Sequence, residues 1–113
     1  MVDEEFWKTV KKGTGVVIKE DSVKLPEDQT ATESLSDFAR FLFEEGYLSE
    51  SDLPIESGWS RYLLNTEPTH SDGEEMRRDV EILSGVFLER NYNREGIKRK
   101  IQQLHRLIQD KKD

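Results

Sequence analysis

The chain has no cysteine, which removes disulfide cross-links, thiolate metal sites and cysteine nucleophiles together. Histidine is nearly as scarce. Only His70 and His105 occur, so an imidazole-based metal site would have to be completed by carboxylates. No apolar run approaches the ~18 residues that mark a membrane span, and the opening MVDEEFWKTVKK lacks the apolar stretch of a secretory leader. The expectation is a cytoplasmic protein with no membrane contact. No internal repeat of useful length is present, which sets solenoid architectures aside. Apolar residues are also sparse, at 34%, so the core must be small.

What the sequence does hold is charge and aromatic bulk. Charged residues make up 36% and the net charge is -7, but the two signs are unevenly placed. From Arg77 onward ten Lys and Arg face six Asp and Glu, a net of +4; the first 76 residues carry seven basic and 18 acidic groups, a net of -11. Such a division means either a basic binding surface or two segments that attract each other, within the fold or across a dimer. Five Phe, two Trp and three Tyr argue against disorder, because each aromatic buries ~150–250 Å². At 113 residues the chain fits one domain, acidic over residues 1–76 and basic over residues 77–113.

Along the chain, VDEEFWKTVKKG predicts a short helix that starts at Asp3 and stops at Gly13. Strands near Val16 to Lys19 and Ser22 to Leu25 flank Glu20 and Asp21 as a hairpin. Thr30 and Glu33 have the spacing of a capping box ahead of SLSDFARFLFEEG. There Leu35, Phe38, Ala39 and Leu42 share a face, and Gly46 ends the helix. YLSESDLPIESGW reads as a loop with one helical turn after Ser51, SRYLLN has no assignable period, and NTEPTHSDGEE reads as a loop. Residues 80–90 fit either a helix, through Met76, Val80, Leu83 and Phe87, or a hairpin turning at Ser84 and Gly85. The hairpin is the choice, because Gly85 inside a helix costs ~1 kcal/mol. Asn93 caps the last helix, whose apolar stripe is Ile97, Ile101, Leu104 and Ile108 with Leu107 at its edge. On its far side Glu95 and Arg99, and Arg106 and Asp110, have ion-pair spacing.

The chemistry-bearing groups are few. Gly13-Thr14-Gly15 is too short for a phosphate loop and precedes a strand. His70 lies among Ser71, Asp72, Glu74 and Glu75, but neighbours in a loop do not form a catalytic triad, so a solvated turn is expected there. His105 is a polar residue flanking the stripe. Asp79 and Glu81 lack the lysine of a metal-dependent nuclease, and Asp21 with Lys24 has the wrong spacing. No catalytic residue, metal site, cofactor or small-molecule substrate is expected.

The sequence thus predicts a small single α+β domain. It has two β-hairpins that would pair into one antiparallel sheet, and about three helices including the C-terminal amphipathic one. Its expected role is that of a non-catalytic binding or regulatory module acting through a protein partner or self-association, with Trp7, Phe41, Phe43, Trp59, Ile97, Ile101, Leu104 and Ile108 as the candidate interface. The alternative is a nucleic-acid-binding accessory domain that uses the basic segment Arg77 to Lys112. Its contacts would be Arg77, Arg78, Arg90, Tyr92, Arg94, Lys98, Arg99 and Lys100, brought together if a hairpin leads into the last helix.

Overall fold

The computed structural model describes residues 13–19, 22–58 and 61–112. Strands β1 (Val17–Lys19) and β2 (Ser22–Lys24) pair antiparallel, with Ile18 opposite Val23. Helix α1 (Ala31–Glu44) follows. Its start is set by Thr30, whose hydroxyl accepts the Glu33 backbone N–H at 3.1 Å, and its end by Gly46 at φ 81°. A 3₁₀ turn (Glu50–Asp52) leads into β3 (Ile55–Gly58) and β4 (Arg61–Asn65). Then β5 (Val80–Leu83) and β6 (Val86–Leu88) form a hairpin, and α2 (Arg94–Lys112) closes the chain.

The segment 80–90 is therefore a hairpin, and Gly85 at φ 78° occupies the left-handed turn position that a side chain disfavours. The two expected hairpins do not join, however. β1 and β2 stand alone as a two-stranded sheet, and the second hairpin enters a four-stranded sheet of order β3-β4-β6-β5. The neighbours of that hairpin come from the stretch read as a loop and an unassigned segment. The β3–β4 pairing is broken by register shifts at Ile55/Glu56 and Glu56/Gly58, which erases the period of two that would have revealed a strand. Two helices are described along their whole length, and the expected N-terminal helix lies outside the described residues except at Gly13 and Thr14, which are helical where a stop at Gly13 is expected.

One core joins these elements. Leu35, Phe38, Ala39 and Leu42 of α1 meet Ile97, Ile101, Leu104 and Ile108 of α2, with Leu63, Leu64, Ile82, Val86 and Leu88 from the larger sheet and Val16, Ile18, Val23 and Leu25 around the smaller one. Three helix side chains also donate to carbonyls of the outer strands. Arg40 Nε bonds Ile82 O of β5 at 3.1 Å, at the register shift between Glu81 and Leu83. Lys100 Nζ bonds Ser57 O of β3 at 2.8 Å, and Gln103 Nε2 bonds Glu56 O.

Candidate functional site

Val80 pairs with Leu88 at the open end of the β5–β6 hairpin, so the residues entering β5 lie beside those leaving β6 for α2. Arg77 and Arg78 precede the first strand, and Arg90 and Arg94 follow the second. The topology thereby joins two arginine pairs that are 12 or more residues apart in sequence.

Glu89 stands between the two halves. Its side chain is 9% exposed, and that of His70 is fully buried. Glu89 Oε2 accepts His70 Nε2–H at 2.8 Å and the Arg77 backbone N–H at 2.9 Å, while Oε1 accepts the Tyr92 hydroxyl at 3.2 Å. The other ring nitrogen, His70 Nδ1, accepts the Tyr62 backbone N–H at 2.9 Å, which places the ring proton on Nε2. A buried carboxylate is tolerated only when donors replace its water, and here three do. His70 is set by its own tight turn, in which its N–H donates to Glu74 O at 2.8 Å and its carbonyl accepts Gly73 N–H at 3.0 Å. The solvated turn expected around His70 is thus a buried one. The residues around the ring are exposed, but the imidazole points inward to the sheet.

Tyr92 and Lys100 complete the cluster, with the Lys100 ammonium 5.3 Å from the Tyr92 ring centroid. Burial raises the Tyr92 phenol to about 12, opposed by a side-chain hydrogen bond with Ser57 and reinforced by the neighbouring Glu89 charge. Burial also pulls the Lys100 ammonium below its ordinary value, against the favourable field of Glu89.

The eight candidate nucleic-acid contacts therefore separate. Arg77, Arg78 and Arg94 are exposed, and Arg90 is half-buried because its Nε donates to Arg78 O at 3.2 Å. None of the four guanidinium groups has a carboxylate partner among the described residues. The carboxylates nearest in sequence are exposed Glu75 and Asp79, Glu81 turned to the Gly85 N–H at 2.9 Å, buried Glu89, and exposed Glu95, which lies 3.5 Å from Lys98. Arg78 has φ 51°, a left-handed conformation that is uncommon outside glycine and concentrated at functional sites. Arg99 is exposed further along α2, Lys98 lies 3.5 Å from Glu95, and Tyr92 and Lys100 are turned inward.

The candidate protein interface fares differently. Ile97, Ile101, Leu104 and Ile108 are at most 1% exposed within the chain's own core, so the stripe does not serve as an intermolecular seam. α1 presents a matching apolar face and covers it. Phe41 is buried and stacks with Tyr47 at a centroid distance of 6.4 Å, and Phe43 packs half-buried on the core. Trp7 and Trp59 lie outside the described residues.

Glu89 and His70 are the site residues that sequence reasoning missed. The available signal was slight: a charge directly after the apolar run Val86-Phe87-Leu88, at a place where a strand end is normally solvated. Among the described residues no group of three or more His, Asp or Glu is arranged to hold a metal ion, and no helix is long and apolar enough to cross a membrane. Compared with known proteins, the chain matches no family model, no curated protein and no solved structure.

Proposed function

We propose that this chain is a non-catalytic accessory domain that binds nucleic acid through phosphate contacts from Arg77, Arg78, Arg90 and Arg94. The carrying observation is that four arginines whose guanidinium groups have no carboxylate partner among the described residues stand at one hairpin–helix junction. Arginine's planar fork suits phosphate oxygens, and phosphate contacts supply most of the sequence-independent affinity for nucleic acids. The start of α2 lies at the same place, and its positive dipole end favours anions. The net charge of -7 weakens long-range attraction to a polyanion, so the reading rests on the local excess, a net of +4 over residues 77–113. With Tyr92 turned toward Glu89, the aromatic ring nearest these arginines in sequence is engaged inside the fold, which supports backbone recognition over base readout. A non-catalytic role is supported by the His70–Glu89 pair, since both ring nitrogens are engaged and the pair is closed to a substrate.

Fluorescence anisotropy with labelled single- and double-stranded DNA and RNA across a salt series tests this reading. Four phosphate contacts on a duplex give a log–log salt slope of about -3.6, or about a hundredfold weaker binding at 200 mM than at 50 mM salt. Changing all four arginines to Gln should abolish the binding. Undiminished binding by that variant, or no binding by the parent at low salt, overturns it.

A protein partner is the second reading, favoured by an open groove of about 450 Å³ between Pro54 and Ile55 on one side and Gln103, Arg106 and half-buried Leu107 on the other. Leu107→Asp would disrupt that contact and leave phosphate binding intact.

A further inference from the structure

We propose that Glu89 is the positioning residue of the arginine edge, tying Arg77 and Arg78 on one side of the junction to Arg90 and Arg94 on the other. The inference rests on the reading of this edge as a phosphate-binding surface and adds how that surface is held in shape.

A side chain in the left-handed region is strained against its own backbone, so the turn at Arg78, at φ 51°, would relax if nothing fixed it. Two bonds fix it, both from the opposite side of the junction. Glu89 Oε2 accepts the Arg77 N–H at 2.9 Å, and Arg90 Nε–H donates to the Arg78 carbonyl at 3.2 Å. Glu89 is itself immobilised by His70 Nε2–H at 2.8 Å and by its own N–H on Leu63 O at 3.0 Å. Its second oxygen reaches forward to the Tyr92 hydroxyl. Tyr92 in turn abuts the first turn of α2: a Cβ at Gly96 would come within 3.2 Å of both Tyr92 Cβ and Asn93 Oδ1, and Asn93 Oδ1 caps the Gly96 N–H at 2.8 Å. One carboxylate therefore touches the backbone of the first arginine pair and the side chain that packs under the start of the helix carrying Arg94. Ordering these segments before the partner arrives removes that cost from binding.

Side-chain chemistry separates positioning from charge. Glu89→Gln keeps an oxygen for His70 Nε2–H and Arg77 N–H and turns an NH₂ group toward the Tyr92 hydroxyl oxygen, which can accept. Glu89→Ala keeps neither contact. Duplex binding by Glu89→Gln should retain the parent's salt slope with equal or tighter affinity, whereas Glu89→Ala should have a slope shallower by about 1–2 as Arg77 and Arg78 cease to act together. In the free protein, amide hydrogen exchange at Arg77 should accelerate about tenfold in Glu89→Ala and stay slow in Glu89→Gln. Parent-like slope and exchange in a folded Glu89→Ala, or a Glu89→Gln as impaired as the alanine variant, overturns the proposal. Should Glu89→Ala fail to fold, Tyr92→Phe carries the comparison: it leaves one carboxylate oxygen without its donor, and parent-like exchange at both Arg77 and Gly96 is then the overturning result. Should the parent itself show no salt-dependent binding, the phosphate reading falls, and the exchange measurements still decide whether Glu89 holds the turn.

Discussion

Replacing His70 tests the buried cluster through stability alone. The imidazole makes two bonds in different directions, accepting from Tyr62 N–H at 2.9 Å and donating to Glu89 Oε2 at 2.8 Å, with no exposed side-chain surface. His70→Ala orphans an amide of β4, at about 1–3 kcal/mol, and takes from Glu89 one of two donors to Oε2, a charged hydrogen bond worth about 1.5–3 kcal/mol. Water entering the vacated polar space returns some of this, so a net loss of about 2–4 kcal/mol is expected. At a urea slope of about 1.5 kcal/mol/M, a loss of 3 moves the unfolding midpoint down by about 2 M. The replacement series adds direction. Asn places its amide oxygen near the Nδ1 position and should satisfy Tyr62 N–H, Gln places its amide nitrogen near Nε2 and should satisfy Glu89, and each should recover about half of the alanine loss. Equilibrium urea unfolding followed by circular dichroism reads all three. A midpoint within 0.3 M of the parent for His70→Ala (about 0.5 kcal/mol), or Asn and Gln variants no better than alanine, would refute the account of the ring as a two-sided bridge.

Further outcomes follow from the core and from the titrating groups. Leu104 is fully buried between the helices, so Leu104→Ala should cost about 2–5 kcal/mol, and Ile101→Asp should yield an unfolded chain; a folded, monomeric Ile101→Asp in size-exclusion chromatography and circular dichroism would contradict an intramolecular role for the stripe. His105 is held below its ordinary value by burial and then by Arg106, so the unfolded chain takes up a proton first as pH falls below about 6.5 and stability should decline there. His105→Gln should remove that component of the decline. Tyr92 titrates at about 12 when folded, so its contribution is complete below pH ~10 and lost as pH rises toward 12. Lys100, lowered by burial, acts in the opposite sense, raising stability as pH climbs toward about 10.4; the tyrosine effect is therefore read as the difference between the parent and Tyr92→Phe in pH-dependent melting.

Local chemistry made much of the fold legible. Thr30 and Gly46 bound α1 as cap and stop, Gly85 identified the β5–β6 turn, and Asn93 marked the start of α2. Each of these depends on contacts within a few residues. What escaped depends on distance. β3 and β4 are short, and the bulged pairing between them hides their alternation; the partner of the Ile97–Ile108 stripe is set by α1, far away in sequence. The basic cluster was half legible. Its members were all named, but which of them face outward follows from Glu89, which draws Tyr92 inward, and from Ser57, which anchors Lys100. His70 and Glu89 are 19 residues apart, and no local pattern pairs them.

The three helix side chains that bond Ile82, Ser57 and Glu56 carbonyls have a consequence for the protein at high concentration. β5 and β3 are the outer strands of the four-stranded sheet, where an unpaired strand would normally recruit another chain and seed aggregation. Here an incoming strand must first displace Arg40 from one border, or Lys100 and Gln103 from the other. Because these donors belong to helices that share the core, loosening either helix also uncovers the border that it guards. Resistance to amyloid-like growth is thus coupled to folding stability, and core variants such as Leu104→Ala should shorten the lag before fibrils form more than surface variants of equal charge.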